Sequence, residues 1–162
     1  PPCKDSGFWF VTKKVNVLYI AVAIFKSYRI HGYVAYRNLV SELIGMLMPD
    51  KLVSGDIPST CRVNVMERKD GWVLHALHYI PQRRAEGLDL LEDVIPLYNM
   101  EINVLTGRRP QSVFMAPEKR PLKFSFKAGR VSFTLPEIRG HAMVVMQFRD
   151  TILDSKRVIS VR

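Results

Sequence analysis

Residues 61–79 read CRVNVMERKDGWVLHALHY, and this stretch decides the fold of the chain. Apolar and polar residues alternate on both sides of Lys69-Asp70-Gly71, with the period of two that is typical of a strand with one buried face. Asp-Gly between two such runs is a strong signal for a short hairpin turn. The stretch therefore predicts two antiparallel strands joined by a tight turn.

The same period of two continues along the rest of the sequence. Further strands are predicted at residues 98–105, 111–116, 122–127, 130–135 and 141–148. Ala128-Gly129 predicts a tight hairpin, and a last turn is expected at residues 136–140. Seven short strands separated by Gly and Pro turns favour an antiparallel sandwich. We therefore expect a mainly β fold, with an antiparallel β-sandwich of about seven strands at residues 57–148.

Residues 1–56 have a different pattern. Residues 15–24 (VNVLYIAVAI) form a near-continuous apolar run, as expected of a strand covered on both faces. An amphipathic helix ending near Pro49 is then predicted by apolar residues at helical spacing, namely Tyr36, Leu39, Val40, Leu43, Ile44 and Leu47. A strand followed by such a helix is the repeating unit of an α/β sheet. Residues 1–56 thus predict the terminal strand–helix segment of an α/β domain, whereas residues 149–162 predict an edge strand or a disordered tail.

Composition and charge exclude several classes of protein. The chain has 162 residues, of which 48% are apolar and 24% charged, as in a globular domain. It is too short for an eight-stranded barrel of about 250 residues. The net charge of +9 permits nucleic acid as a partner. The charges are scattered, however, and neither a recognition helix nor a stacking platform is evident. We therefore do not expect nucleic acid as a partner. The longest apolar stretch, residues 15–25, is too short to span a membrane.

The two cysteines, Cys3 and Cys61, are too few for a disulfide scaffold or a four-cysteine zinc site. The sequence opens Pro-Pro-Cys-Lys, without the features of a signal peptide. It reads as a piece of a longer protein, with any native signal outside it. The compartment stays open, and a cytoplasmic location is favoured over secretion.

No pattern in the sequence predicts catalysis, a cofactor or a metal site. Phosphate-binding loops, a nucleophile elbow and a His-Glu-x-x-His motif are all missing from it. His75 and His78 are three residues apart, which places them on opposite faces of a strand. The acidic residues form no credible pair for glycoside hydrolysis, and no base is placed beside Ser59 or Cys61.

Two groups of residues are candidates for binding. The long connection at residues 80–96 is expected to be an interface loop, because a loop of this length in a compact domain is usually functional. Its charged residues are Arg83, Arg84, Glu86, Asp89, Glu92 and Asp93. The second group is aromatic: Trp72 or Tyr79 would stack on a sugar ring, or else belong to the core of the sandwich.

Two segments carry a resemblance to a known family. Residues 74–96 and 110–143 resemble the carboxyl-terminal end of bacterial glycoside hydrolases of the β-galactosidase trimerisation-domain type, in the hypothetical glycosyl hydrolase group. In that family a strand ending in His-x-x-Asn-Tyr runs into a Pro-x-Arg-Arg stretch. Here His78 replaces the Asn. The positions that match are Tyr79, Pro81, Arg83, Arg84, Glu92, Asp93, Ile95, Pro96, Leu97, Pro136, Glu137, Gly140, His141, Ala142 and Met143.

The earlier part of the chain is similar to the last strand and helix of the amidotransferase-like trimerisation domain. The matching residues are Leu18, Tyr19, Ile20, Phe25, Tyr28, Gly32, Tyr36, Arg37, Leu39 and Val40, and Arg62 and Val63 continue the match. The resemblance implies a parent enzyme, β-galactosidase-like or α-L-fucosidase-like, with a catalytic barrel, an amidotransferase-like domain and this sandwich. The catalytic carboxylates of such enzymes lie on the barrel, and no position here matches them.

The residues and the resemblance together favour a non-catalytic accessory module of a bacterial glycoside hydrolase that acts in carbohydrate metabolism. We expect it to pack on the other domains of its parent. A role in homo-oligomerisation stays open, and a carbohydrate-binding sandwich is the alternative.

Overall fold

The computed structural model describes residues 10–148. The chain divides into two compact units, Pro1–Lys51 and Leu52–Arg162. The described part of the first unit contains a hairpin and two helices, whereas that of the second is built from strands. The mainly β, antiparallel class expected from the sequence is confirmed.

The first unit begins with a hairpin of two short strands. Strand β1 (Val11–Lys14) pairs antiparallel with β2 (Val17–Ile20) around a two-residue turn at Val15-Asn16. This corrects the single strand covered on both faces that the apolar run at residues 15–24 predicts. Asn16 supplies a turn residue within the run, and β2 pairs only with β1 among the described strands. Val15 and Val17 are accordingly 79% and 65% exposed.

Two helices follow the hairpin. Helix α1 (Ile24–His31) ends at Gly32, whose left-handed backbone (φ 64°) lets its N–H donate to the Tyr28 carbonyl. Helix α2 (Val34–Leu47) confirms the predicted amphipathic helix, and Leu43 in its apolar stripe is buried. Neither helix of residues 10–148 is long and apolar enough to span a bilayer.

The second unit contains two larger sheets and one small one, and every strand pair in its described part is antiparallel. Its strands are β3 (Val53–Gly55), β4 (Cys61–Arg68), β5 (Gly71–His78), β6 (Gln82–Ala85), β7 (Leu88–Leu90), β8 (Leu97–Leu105), β9 (Ser112–Ala116), β10 (Arg120–Pro121), β11 (Phe124–Lys127), β12 (Arg130–Ile138) and β13 (His141–Gln147). The five-stranded sheet has the order β10-β9-β13-β5-β4, the four-stranded sheet the order β11-β12-β8-β3, and β6 pairs with β7.

The two larger sheets bury their inner faces in one core. Apolar side chains alternate along the central strands, so one face of each sheet is apolar. The five-stranded sheet contributes Leu74, Ala76, Val113, Val144 and Met146, and the four-stranded sheet contributes Ile102, Val104, Val131, Phe133 and Leu135. This shared core gives the unit the sandwich-like arrangement expected from the alternation.

Two predicted turns show different uses of glycine. Lys127 pairs with Arg130, which confirms the two-residue turn at Ala128-Gly129. The Asp-Gly hairpin also forms, but Gly71 pairs with Arg68 and is already the first residue of β5. Gly71 is needed for a close approach instead, because a Cβ atom there would lie 2.2 Å from the carbonyl oxygen of Met146.

The long connection at residues 80–96 contains its own hairpin. Strands β6 and β7 pair with a register shift between Arg83 and Ala85. Residues 91–96 have no regular structure. The tail at residues 149–162 lies outside the described residues, so its expected edge strand stays a prediction.

Candidate functional site

The outer face of the five-stranded sheet carries a polar patch near the end where β5 finishes and β13 begins. Side chains on alternate residues of these strands face away from the core. Register places them in two rows, Arg62–Leu77–His141 and Asn64–His75–Met143. We call these six residues the outer patch.

A pair of histidines lies within the outer patch. His75 Nδ1 and His141 Nε2 are 3.1 Å apart, and their ring planes differ by 1°. The contact is a hydrogen bond in which one ring nitrogen donates and the other accepts. His75 is half-buried and His141 is exposed. Sequence reasoning missed this pair, because 66 residues separate its members and only strand register brings them together.

The third histidine of this region faces the core. His78 is 2% exposed, and its Nδ1 atom has no hydrogen-bond partner among the described residues. This confirms the expectation that His75 and His78 lie on opposite faces. Cys61 is the direct cross-strand neighbour of His78, an arrangement the sequence pattern did not predict. Burial raises the pKa of the Cys61 thiol, so the thiol stays protonated and is not an activated nucleophile.

One cleft borders the outer patch on the side of His141. Its volume is about 350 Å³, and its polar lining consists of Glu118, Arg120, Glu137, Arg139 and His141. Glu137 and Arg139 form an ion pair with an oxygen–nitrogen distance of 2.8 Å. The Arg120 guanidinium contacts the Met115 sulfur at 3.2 Å. The cleft thus offers both carboxylates and guanidinium groups to a polar ligand.

A second cleft of about 400 Å³ lies beside the first. It is lined by Thr60, Arg62, Leu77, Tyr79, Pro81, Asp89 and Leu91. The two clefts are neighbours, because Leu77 of the second is paired with His141 of the first. Tyr79 is 38% exposed, and its ring lies so close to Gly140 that a Cβ atom there would be 2.8 Å from the hydroxyl oxygen. A mostly apolar cleft with an aromatic wall and a few polar side chains is suited to sugars, whose rings stack on aromatic faces.

Trp72, the other aromatic candidate, lies on the inner face of β5. It packs against the core and meets the Phe148 ring edge-on, with ring centroids 5.9 Å apart. The Arg108 guanidinium covers Phe148 at 4.3 Å from the ring centroid. Trp72 is thus engaged by the protein itself, whereas Tyr79 lines an open cleft.

The charges of residues 80–96 pair largely with one another. Arg83 binds Asp89 across the β6–β7 hairpin, and Arg84 binds Glu92 through two hydrogen bonds. The hydrogen bonding that Arg83 donates to the Asp89 carboxylate lowers the pKa of Asp89 and raises the pKa of Arg83. Glu86 and Asp93 are exposed. The same segment exposes apolar side chains, namely Leu88, Leu90, Leu91, Val94 and Ile95.

The first unit exposes many apolar side chains. Among residues 10–51 only Ile24 and Leu43 are buried. Many apolar side chains of this unit are at least half exposed, and we call them the apolar surface: Val15, Val17, Tyr19, Phe25, Ile30, Tyr33, Val34, Ile44, Met46 and Met48. A cavity of about 180 Å³ between the helices, lined by Ile24, Phe25, Tyr28, Tyr36, Arg37 and Val40, is almost wholly apolar. Such surfaces mark contacts with other protein.

Within residues 10–148, no three His, Cys, Asp or Glu side chains are grouped closely enough to hold a metal ion. The described residues also form two larger binding surfaces. The outer patch and its two clefts suit a polar ligand, and the apolar surface of the first unit suits another polypeptide.

Comparison with solved structures shows a likeness of fold. The chain is similar to the structure of the α-L-fucosidase isoenzyme 2 from Paenibacillus thiaminolyticus, with a TM-score of 0.81 and 23% sequence identity. The match covers 87% of this chain but only 22% of the fucosidase. No protein-family model matches the sequence, and no curated protein is significantly similar to it. The likeness establishes a shared fold with a part of that protein.

Proposed function

We propose that this chain is a non-catalytic accessory module of a larger glycoside hydrolase, and that its first unit packs on other domains of that enzyme. The observation that carries the proposal is the exposure of the apolar surface. Fixing a backbone costs about 1–2 kcal/mol per residue, which folding offsets chiefly by burying apolar groups. Two buried side chains in residues 10–51 cannot supply this stabilisation, so the unit needs a partner.

The likeness to the fucosidase supports this proposal. A module that matches 22% of that chain leaves most of the neighbour's length outside the match. We propose that the unmatched part of the fucosidase corresponds to the other domains of this chain's parent enzyme, which is of the β-galactosidase trimerisation-domain type. The first unit would complete its amidotransferase-like domain, and the catalytic carboxylates would lie elsewhere in the parent.

The segment at residues 80–96 is part of the proposed contact. Its ion pairs Arg83–Asp89 and Arg84–Glu92 hold the hairpin in shape, and its exposed leucines then face the neighbouring domain or a second copy of the parent. Replacing both Arg83 and Arg84 by Ala in the parent should loosen domain packing or change its oligomeric state, as measured by limited proteolysis and sedimentation. Unchanged packing and assembly would refute this part of the proposal.

The proposal is tested by the mass and activity of the natural gene product. An antibody raised against the 162-residue chain should detect a product several times heavier than 18.6 kDa in source cells. That product, captured with the antibody, should hydrolyse at least one member of a panel of nitrophenyl glycosides, β-galactoside and α-L-fucoside included. The isolated chain should hydrolyse none of them.

Two results would contradict this function. A natural product near 18.6 kDa would mean that no parent enzyme exists. Hydrolysis by the isolated chain would mean that the module is itself catalytic. If a product near 18.6 kDa dimerised as its concentration rose, the apolar surface would be a contact with a second copy of the chain instead.

The cleft beside Tyr79 favours a second candidate function, the binding of a neutral oligosaccharide. Tyr79, which is partly exposed in this cleft, would stack on one sugar ring, and Arg62, Thr60 and Asp89 would bond to its hydroxyl groups. The neighbouring cleft with Glu118, Arg120 and His141 would accept the next sugar.

Saturation-transfer NMR with a panel of oligosaccharides tests this second function. Tyr79→Ala should remove the transfer from any ligand that binds the wild-type chain. Tyr98→Ala is a matched control, because Tyr98 is also exposed but lies on β8 of the other sheet. Loss of binding in the control, or retention in Tyr79→Ala, would overturn the assignment of the site.

A further inference from the structure

We infer that His75 and His141 form a binding site for one divalent transition-metal ion on the outer face of the five-stranded sheet. The ion site does not rest on the proposed function, although His141 also lines the cleft of the second candidate function. The two residues come from β5 and β13, each of which has a paired strand on both sides. Register makes them diagonal neighbours, since His75 pairs with Met143 and His141 pairs with Leu77. Central strands hold both backbones in place, as a preorganised site requires.

The separation of the two nitrogens matches that of two ligands on one ion. Nitrogens bound at about 2.0–2.1 Å are about 2.9 Å apart at a right angle and about 3.3–3.4 Å apart at the tetrahedral angle. His75 Nδ1 and His141 Nε2 are 3.1 Å apart, within this interval. For both nitrogens to bind one ion, the two rings must reorient so that both lone pairs point at it.

Ion binding replaces the hydrogen bond between the rings without loss of a proton. In the free protein one of the facing nitrogens carries a hydrogen and donates it to the other. When an ion binds, the donating ring takes its other tautomer, with the hydrogen on its far nitrogen. Both facing nitrogens then offer a lone pair, and the charge state of the rings is unchanged.

The chemistry of the patch selects the class of ion. Imidazole suits zinc, copper and nickel, whereas Mg²⁺ and Ca²⁺ require oxygen ligands. The residues flanking His75 across the sheet are Asn64 and Met143, and neither is a carboxylate. In the cleft lined by His141, Glu137 is paired with Arg139, which leaves Glu118 as the other carboxylate. His141 lines the cleft of about 350 Å³, so water can reach the ion and fill its remaining positions.

The test is a titration of the full chain in a Cys3→Ser background, which removes the other thiol besides the buried Cys61. Calorimetry should give one Cu²⁺ bound per chain, with weaker binding of Ni²⁺ and Zn²⁺ and no binding of Mg²⁺. Substoichiometric Cu²⁺ should broaden the imidazole NMR signals of His75 and His141 before those of His31.

Single variants locate the site. His75→Ala and His141→Ala should each weaken Cu²⁺ binding at least about tenfold, because each leaves a single ligand. His31→Ala is the matched control, since His31 is also exposed but lies in the first unit. Circular dichroism of each variant verifies that the sandwich is intact. Absence of Cu²⁺ binding, or binding that both patch variants leave unchanged, would overturn the inference.

Discussion

The two units of this chain differ in what covers their apolar side chains. In the second unit, Leu74 and Ile102 of opposite sheets are almost fully buried in one core. In the first unit, Tyr19 and Phe25 are 65% and 69% exposed. Both units have the apolar periodicity of folded protein. The difference shows that periodicity predicts which face of an element is apolar. It does not predict whether residues of the same chain bury that face.

The largest expected effect comes from truncating a core side chain in each unit. Ile102→Ala should lower the free energy of unfolding of the second unit by about 2–5 kcal/mol, because it leaves a cavity between the sheets. Leu43→Ala truncates one of the two buried residues in the range 10–51. It should change the free energy of unfolding of the second unit by less than about 0.5 kcal/mol. Urea unfolding followed by Trp72 fluorescence in a Trp9→Phe background measures both. Equal losses would mean that the two units share one cooperative core.

Two glycines give the next contrast. Gly71→Ala should destabilise the second unit by about 1–3 kcal/mol, because its Cβ would meet the Met146 carbonyl oxygen at 2.2 Å. In helix α2, the Cβ atom added by Gly45→Ala would have no neighbouring atom within 4 Å. It should therefore favour the helix by about 0.5–1 kcal/mol. Urea midpoints and helical circular dichroism measure the pair, and a gain of stability in Gly71→Ala would contradict the close approach of β5 and β13.

A smaller effect is expected at the hairpin of the first unit. Val15 has a left-handed backbone (φ 52°), which disfavours a β-branched residue by about 1–2 kcal/mol. Val15→Asn should therefore slow amide exchange in β1 and β2. Val17→Asn is the control, because Val17 is similarly exposed but lies in a strand. Equal exchange in the two variants would show that the turn is not strained.

The smallest expected effect is a pH dependence of the β6–β7 hairpin. Because Arg83 lowers the pKa of Asp89, the pair contributes stability above the unfolded carboxyl pKa of about 3.9. This contribution is lost as pH falls through the folded pKa below that value. NMR shifts of β6 and β7 amides should follow this titration. They should not follow it in Asp89→Asn, and a titration that persists there would assign the shifts to another group.

Most of the second unit could be predicted from the sequence, because its signals are local. Alternation in residues 61–79 and the turn at Ala128-Gly129 predict strands and a hairpin that the structure confirms. The prediction of one strand at residues 15–24 was wrong, because this run contains a two-residue turn and the start of helix α1. Apolar character alone does not distinguish a turn or a helix start from a continuing strand.

The candidate site was harder to predict, because it depends on register between distant strands. The contact of His75 with His141 and the packing of Tyr79 on Gly140 join residues more than 60 positions apart in the sequence. The sequence indicated Tyr79 as an aromatic in a strand, but not which face of the sheet it would border. The pairing of Arg83 with Asp89 was also not foreseen, since the hairpin that joins them is short and irregular.

The most direct test of the central claim is amide hydrogen exchange in the isolated chain and in the natural gene product. We expect the amides of β5, β8, β12 and β13 to be strongly protected in both, because their core lies within the chain. The amides of α1 and α2 should exchange much faster in the isolated chain and become protected only in the gene product. Helices as strongly protected in the isolated chain as the central strands would contradict the claim that the first unit needs a partner.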